Sequence, residues 1–199
     1  KLRFAKTCWL VTGGAGALGQ VSVEYLFATG TQCAILLTRK SKDINENLKN
    51  AKSLLVLSFC DLAVSEDWTH LKQLAMVREV SGLVHSAGVT EDASILNQNP
   101  SLLRRVLSPK IGFAHDRMGE LPLTEQLLYS SVASLIGSAG QSNYAAANGA
   151  LDGLAAKLQS SGINVLPIQY GAWAVGMAAT EIVRKATEKS GMGLLNPRE

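Results

Sequence analysis

The chain has 199 residues, a size that suits a single domain with a substantial core. Its net charge of +3 is dispersed, with no long Lys/Arg run, which argues against a nucleic-acid-binding surface. No apolar run approaches the roughly 18 residues that span a bilayer. The three cysteines, Cys8, Cys33 and Cys60, lack CxxC spacing, so we expect reduced, buried thiols, no metal and a cytoplasmic location.

Apolar runs alternate with helical patterns, which predicts parallel strands joined by crossover helices. In chain order, strands are predicted at residues 8–11, 33–37, 54–59, 82–85, 126–131 and 165–170. Helices are predicted at residues 18–28, 68–77, 102–118, 144–160 and 178–189, and residues 40–52 form a short helix or a loop. Gly30 should end the first helix, and Pro109 should kink or break the helix at residues 102–118. The pattern predicts one α/β domain over residues 1–199, a Rossmann-like, doubly wound parallel sheet in three α/β/α layers.

A glycine-rich loop follows the first strand, where residues 12–19 read TGGAGALG. Small residues allow the backbone to approach a diphosphate, whose charge then lies on the N–H groups at the start of the next helix. We therefore predict nucleotide binding by Thr12, Gly13, Gly14, Gly16, Ala17, Leu18 and Gly19. The alternative is a tight strand-to-helix turn without a ligand.

The ends of the next strands carry further candidate cofactor contacts. Thr38, Arg39 and Lys40 follow the second strand, with no acid until Asp43. Two cations and a hydroxyl favour NADPH over NADH, although a solvated basic strand end is the alternative. Asp61 and Leu62 follow the third strand and are predicted to meet the adenine, unless Asp61 caps a turn. The end of the fourth strand carries Ser86, Ala87 and Gly88 where a nucleotide ribose would lie, and His85 is interpreted as a structural histidine.

A serine at a strand end and a tyrosine near a helix start suggest the chemistry. Ser131 ends the fifth strand, and Tyr144 opens the helix that follows it. Two such hydroxyls can converge on one carbonyl oxygen, where the first orients the oxygen and the second delivers a proton. This pattern predicts a hydride-transfer enzyme.

Five segments in this order resemble the short-chain dehydrogenase/reductase superfamily, and more closely the ketoreductase domains of modular polyketide synthases. They are residues 11–19, 84–89, 106–110, 130–148 and 170–177. Most superfamily members place a lysine four residues after the tyrosine, where this chain has Asn148. The polyketide ketoreductases take their lysine from the preceding helix, at the position that Lys110 matches.

The resemblance implies a role for each residue of this group. Tyr144 would be the general acid, and Lys110 would lower its pKa and hold the nicotinamide ribose. Ser131 would bind the substrate carbonyl, and Asn148 would fix a water or a backbone group. The implied cofactor is NADPH. The implied substrate is a β-ketoacyl thioester on the phosphopantetheine arm of an acyl carrier protein, with other synthase domains in cis.

The resemblance also suggests where substrate and stereochemistry are controlled. Tyr170, Gly171 and Trp173 match the nicotinamide-side turn, and residues 177–189 match a mobile lid under which the substrate enters. Trp173 and Met177 are predicted to contact the substrate, with a place in the core as the alternative for Trp173. Residues 90–92 read Thr-Glu-Asp and keep only the last aspartate of a motif that accompanies D-hydroxyl products, and Ile136 stands where the opposite class has tryptophan. We expect D-hydroxyl products, with a turn-capping role for Asp92 as the alternative.

Compared with the family, the chain starts without methionine and stops before the usual last helix and seventh strand. We therefore expect an excerpt of a longer multidomain chain, with a sheet that lacks its last strand and a reduced stability. Two other functions stay open. One is a catalytically silent, structural ketoreductase-like domain, and the other is a free-standing reductase of small ketones.

Overall fold

Six strands form one fully parallel sheet, in a computed structural model that describes residues 8–39, 44–59, 65–176, 191 and 193–197. The strands are β1 (Cys8–Thr12), β2 (Cys33–Thr38), β3 (Leu54–Phe59), β4 (Val80–His85), β5 (Glu125–Ser131) and β6 (Val165–Tyr170). Their order across the sheet is β3-β2-β1-β4-β5-β6. The winding direction reverses between β1 and β4, so a ligand crevice is expected beyond the carboxyl ends of those two strands. The predicted Rossmann-like, doubly wound fold is confirmed.

The described helices agree with most of the predicted ones to within three residues. They are α1 (Ala17–Ala28), α2 (Glu46–Lys49), α3 (Ser65–Val77), α4 (Pro100–Leu107), α5 (Phe113–Asp116), α6 (Ala133–Ile136) and α7 (Ser142–Ser160). Gly30, which has a φ of 101°, follows the end of α1 as predicted. The predicted helix at 178–189 and the predicted site residues Asp61, Leu62 and Met177 lie outside the described residues.

The helix predicted over residues 102–118 is divided at Pro109, as the sequence predicts. After α4 the chain forms a π-helical turn (Ser108–Gly112, hereafter the π turn), then the short α5 and a 3₁₀ turn at Met118–Glu120. Pro109 has no N–H to donate to the preceding turn, and its ring clashes with a regular α-helical backbone. The wider π turn accommodates this proline, and it carries Lys110 into the interior, where 4% of the lysine surface is exposed.

The sheet is buried on both faces by two hydrophobic clusters. Alternate residues of β1 point in opposite directions, so that Leu10 belongs to one cluster and Val11 to the other. The first cluster packs the sheet against α3, α5 and α7, and the second packs it against α1 and α2. This arrangement is the predicted three-layer α/β/α architecture.

Cys8 and Cys33 are cross-strand neighbours in the β1–β2 register, and both are buried free thiols as predicted. Burial is the main reason that the pKa of the Cys8 thiol is raised, which keeps it protonated. In the part of the chain that the structure describes, every helix is too short or too polar to cross a bilayer.

Candidate active site

The last residues of four neighbouring strands meet at the carboxyl edge of the sheet. They are Thr12 of β1, His85 of β4, Ser131 of β5 and Tyr170 of β6. Parallel pairing aligns these ends because Thr12 pairs with His85 and Ser131 pairs with Tyr170. The structure therefore brings the predicted nucleotide residues and the predicted catalytic residues to one edge.

The glycine-rich loop is packed tightly on itself and on its neighbours. Gly13 has a φ of 67°, which is the left-handed region that favours glycine. A Cβ on Gly14 would lie 2.7 Å from Leu36 Cβ, and one on Gly19 would lie 2.5 Å from the Gly13 oxygen. These two glycines are thus required by packing within the chain, a reason that the sequence pattern did not reveal.

The loop leads directly into the start of α1, which is suited to an anion. The first-turn N–H groups of a helix have no intrahelical acceptor. No side chain caps this end, and no acidic residue lies in the first turn of α1. The N–H groups of Ala17 and Leu18 thus offer a positive, uncapped end at the point where the sequence predicts a diphosphate.

Lys110 lies at the centre of the catalytic group. Its Nζ donates to the main-chain oxygen of Tyr129 at 2.8 Å and lies 5.8 Å from the centroid of the Tyr144 ring. Its aliphatic part packs against Gly88, where a Cβ would lie only 3.1 Å from Lys110 Cε. Burial lowers the pKa of Lys110 to about 8, and the negative charge of Asp152 acts in the opposite direction.

Tyr144 lies in the first turn of α7, and its hydroxyl interacts with the side chains of Ser131 and Asn148. The predicted direction of its pKa shift is wrong. Burial raises the pKa of the Tyr144 phenol, and this effect outweighs the hydrogen bonds from Asn148 and Ser131, which lower it. The ammonium of Lys110, whose Nζ is bound to the Tyr129 oxygen and stands 5.8 Å from the ring centroid, does not reverse this shift.

Asn148 is fully buried one helical turn after Tyr144. Its Nδ2 donates to the Tyr144 main-chain oxygen at 2.8 Å, in agreement with the prediction that it fixes a backbone group. Its Oδ1 is also buried and has no hydrogen-bond partner among the residues that the structure describes. A buried acceptor without a partner is costly, so this atom points to a group that binds there.

Ser131 contacts both the start of α6 and the Tyr144 hydroxyl. Its Oγ accepts the Ala133 N–H at 3.2 Å, which leaves its own O–H able to donate to a further group. Ser131 and Tyr144 thus lie together, and their joint action on a carbonyl oxygen stays a prediction.

Asp152 is a functional candidate that the sequence analysis missed. Its Oδ2 lies 2.7 Å from Ser134 Oγ and 2.9 Å from Gln169 Nε2, and its charge raises the pKa of Lys110. Asp152 follows Asn148 by four residues and Tyr144 by eight, so all three share one face of α7. That spacing is the signal that could have identified it.

Residues 91 and 92 connect the loop after β4 to the start of α7. Asp92 accepts two hydrogen bonds from Gln141 Nε2, at 3.1 and 3.2 Å, and the main-chain oxygen of Glu91 accepts from Asn143 Nδ2 at 2.8 Å. Asp92 also raises the pKa of Tyr144 through its charge. Asp92, the predicted stereocontrol residue, thus lies near the Tyr144 phenol and binds Gln141, the residue that precedes α7.

The remaining predicted residues lie around this group. Tyr170 packs between Tyr129 and Trp173, with ring centroids 4.9 and 4.8 Å away, and Gly171 follows it. At the nucleotide side, Ser86 Oγ donates to the Thr12 oxygen at 2.7 Å, and the Ala87 N–H donates to Thr12 Oγ1 at 3.3 Å. Thr38 ends β2, and the exposed Arg39 follows it.

The described residues fit a nicotinamide nucleotide. Within the described chain, Lys110 Nζ uses one of its three donors, and Asn148 Oδ1 is an acceptor without a partner. A ribose hydroxyl can accept from a remaining donor of Lys110 Nζ, and a buried water would be a fitting donor to Asn148 Oδ1. The uncapped start of α1 and the cation Arg39 supply the complementary charge for phosphates.

A parallel sheet in this order, a glycine loop after its first strand and a Ser–Tyr–Lys group at its carboxyl edge define the short-chain dehydrogenase/reductase class. The KR domain family matches residues 7–175. The chain therefore belongs to this family, the ketoreductase domains of polyketide synthases.

Similar proteins include both whole synthases and excised domains. Polyketide synthase GfsA of Streptomyces halstedii is 33% identical over 193 residues, which cover 92% of this chain and 3% of GfsA. A Mycobacterium tuberculosis protein named "Putative inactive phenolphthiocerol synthesis polyketide synthase type I Pks1" is 31% identical, over 99% of this chain and 13% of its own length. The ketoreductase PlmKR1 from the first module of phoslactomycin biosynthesis in Streptomyces sp. HK803 superposes with a TM-score of 0.91 at 26% identity, covering 100% of this chain and 49% of PlmKR1. The chain thus spans a small fraction of the curated synthases it matches.

Proposed function

We propose that this chain is the catalytic part of a ketoreductase domain within a longer polyketide synthase. In this proposal it uses NADPH to reduce a β-ketoacyl thioester on an acyl carrier protein to the β-hydroxyacyl thioester. The observation that carries the proposal is the convergence of Lys110, Tyr144, Ser131 and Asn148 at one sheet edge. The synthases among its relatives are multidomain chains, which is consistent with further domains in cis.

When bound, NADPH would supply a hydride to the carbonyl carbon. The Ser131 O–H exchanges its hydrogen bond to the Tyr144 hydroxyl for one to the carbonyl oxygen, which it orients. Tyr144 gives its phenolic proton to the same oxygen as negative charge develops there. Because burial raises the pKa of Tyr144, the phenol is fully protonated at neutral pH and holds the proton that the reaction consumes.

Lys110 acts after the proton has left Tyr144. A phenolate remains on Tyr144 once the proton has left, and a buried ammonium 5.8 Å from the ring centroid stabilises that negative charge. The low exposure of Lys110 strengthens this interaction, since few water molecules screen it. Asn148 holds the start of α7 in place through its bond to the Tyr144 oxygen.

The choice of NADPH is supported by charge at the end of β2. Arg39 is exposed there, and the described residues 38 and 39 include no carboxylate. A 2′-phosphate would find a cation at this position, whereas the ribose hydroxyls of NADH would lack the usual acidic acceptor. For stereochemistry we propose D-hydroxyl products, supported by the position of Asp92 near Tyr144. Chiral analysis of the β-hydroxyacyl product tests this, and an L-hydroxyl product contradicts it.

The decisive experiment follows NADPH oxidation with a β-ketoacyl N-acetylcysteamine thioester, comparing the chain with Tyr144→Phe. We expect turnover in the unmodified chain, and a loss of at least a hundredfold in Tyr144→Phe with NADPH binding retained. Phenylalanine keeps the ring and removes only the hydroxyl, so the loss would report the proton donor.

The second candidate is a structural domain that binds nucleotide and reduces nothing. This alternative is supported by the relative Pks1, because the printed name of that synthase includes the words "Putative inactive". NADPH binding without turnover in the unmodified chain would favour it. Turnover of small ketones in preference to the thioester would instead favour a free-standing reductase.

A further inference from the structure

A continuous chain of hydrogen bonds runs beneath the candidate active site and centres on the buried His85. The Ala87 N–H donates to Thr12 Oγ1 at 3.3 Å, and Thr12 Oγ1 lies 2.6 Å from His85 Nδ1. On the other side of the ring, His85 Nε2 lies 2.9 Å from the main-chain oxygen of Lys110. His85 and Thr12 are both fully buried.

The chemistry of these groups allows one arrangement of hydrogens. A carbonyl oxygen only accepts, so His85 Nε2 must carry the hydrogen that binds Lys110. Burial lowers the pKa of His85 to about 4, so the ring is neutral near pH 7 and its Nδ1 is a lone-pair acceptor. Thr12 therefore donates its O–H to Nδ1 and accepts the Ala87 N–H at the same time.

This chain joins the two halves of the candidate site. Thr12 is the last residue of β1, next to the glycine loop, and Lys110 lies in the π turn. Three independent contacts hold Lys110: the His85 bond to its main-chain oxygen, the packing of Gly88 on its aliphatic part, and the Tyr129 oxygen on its ammonium. Of these contacts, the hydrogen bond from His85 joins the backbone of the π turn to β4.

We propose that His85 is a positioning residue, locked as the Nε2–H tautomer between Thr12 and Lys110, which sets the depth of the Lys110 ammonium beside Tyr144. The proposal concerns the lysine of the proposed reductase and thus rests on that function. It assigns His85 a role without contact with substrate or cofactor. The imidazole couples the position of the β1–β4 edge to the π turn through a hydrogen bond that an apolar residue of the same size cannot make.

Two variants of the same residue separate positioning from packing. In His85→Gln the amide nitrogen can replace Nε2 and donate to the Lys110 oxygen, whereas in His85→Asn the shorter amide replaces Nδ1 and cannot reach it. We expect His85→Gln to keep most of kcat and His85→Asn to lose about tenfold, with similar KM for the thioester. Equal losses in both variants that follow their fall in Tm would overturn the proposal.

The pH profile of kcat is the readout that packing alone would not move. The charged or titratable groups that face Lys110 are Asp152 and Tyr144 on α7 and His85 on β4. If His85→Asn releases the π turn, Lys110 becomes less buried and its pKa rises, so the alkaline limb of kcat moves to higher pH. An unmoved limb, with kcat lower at every pH, would contradict the proposal.

Two NMR measurements keep this proposal distinct from the proposed function. The ¹⁵N shifts of the His85 ring in the unmodified chain should show Nε2 protonated and Nδ1 unprotonated between pH 6 and 8 (a window set above the His85 pKa), and the opposite tautomer would overturn the assignment. The pKa of Lys110, followed by ¹³C labelling and assigned with Lys110→Arg, should rise in His85→Asn and not in His85→Gln. Neither measurement needs turnover. If the chain reduces nothing, the proposed function is refuted, and the two NMR measurements still test the role of His85.

Discussion

Lys110 and Tyr144 face each other from different helices, with the ammonium 5.8 Å from the centroid of the phenol ring. The lysine comes from the π turn, and the position one helical turn after Tyr144 in α7 is occupied by Asn148. Since Asn148 bonds to the Tyr144 main-chain oxygen, α7 supplies the acid and its support while another segment supplies the charge. The following predictions depend on this division.

Removal of the Lys110 charge should abolish most of the activity. In Lys110→Met the side chain keeps its approximate length, and the phenolate left by Tyr144 loses its nearby cation. We expect kcat to fall by on the order of a hundredfold, because charge stabilisation at the developing anion is lost. Steady-state NADPH oxidation measures this. The matched control is Lys157→Met, an exposed lysine of α7, which should leave kcat within twofold. A small effect of Lys110→Met would refute the assignment.

Asp152 should control the alkaline limb of the reaction. Burial lowers the pKa of Lys110 to about 8, and the Asp152 charge raises it against that effect. Activity should therefore be retained below pH 8 and lost as Lys110 deprotonates above it. In Asp152→Asn the supporting charge is gone, so the pKa of Lys110 falls and the limb moves to lower pH. A kcat profile between pH 6 and 10 (a range spanning the Lys110 pKa) tests this, with Glu46→Gln on α2 as the remote control.

The buried His85 should make the fold sensitive to acid. Burial lowers the pKa of His85 from 6.5 to about 4. The unfolded chain binds the extra proton first, so the His85 contribution to stability is complete above pH 6.5 and is lost as the pH falls toward 4. The full difference is about 3 kcal/mol in the free energy of unfolding.

Urea unfolding at several pH values measures the effect of His85 on stability. His85→Gln should flatten the dependence between pH 6.5 and 4, while the exposed His70→Gln should leave it unchanged. The same slope in all three chains would show that other groups determine the acid sensitivity.

Two glycines should respond to alanine in opposite directions. Gly82 pairs with Trp9 across β1 and β4, and a Cβ there would lie 2.3 Å from the indole ring. Gly82→Ala should lower the free energy of unfolding by about 1–3 kcal/mol, because a packed core does not yield that space. Gly153 lies in α7, and a Cβ there would have no atom within 4 Å. Gly153→Ala should therefore raise the free energy of unfolding by about 0.5–1 kcal/mol. Urea unfolding at neutral pH compares them, and a loss of stability in Gly153→Ala would be the contrary result.

Arg39 should determine the preference between coenzymes. It is exposed directly after β2, where the 2′-phosphate of NADPH is proposed to lie. Arg39→Ala should raise KM for NADPH by roughly tenfold and leave KM for NADH unchanged, since only NADPH carries that phosphate. Lys49→Ala removes a cation from α2, where it pairs with Glu46, and should change neither value. Equal effects of Arg39→Ala on both coenzymes would argue against a phosphate contact.

Several features of the site were predictable because they follow from local chemistry. The glycine loop, Ser131 and Tyr144 lie at strand ends and helix starts, and parallel strands bring their carboxyl ends together. The burial of each group and the charges near it could not be predicted from the sequence. The predicted fall in the pKa of Tyr144 was wrong, because a sequence pattern names the charged neighbour and does not show how deeply the phenol is buried. Asp152 was missed for the same reason, since its influence on Lys110 depends on distance.

The sequence by itself determined the order of strands and helices, the nucleotide loop and the family resemblance, because periodicity, glycine spacing and capping residues act over a few positions. It also predicted that Pro109 interrupts its helix. Only the tertiary structure decided that the interruption is a π turn, that Lys110 is buried beside Tyr144, and that His85 links it to Thr12. Burial and contacts between residues 73 and 25 positions apart arise from packing of the whole sheet, and packing is what sets the pKa of each group.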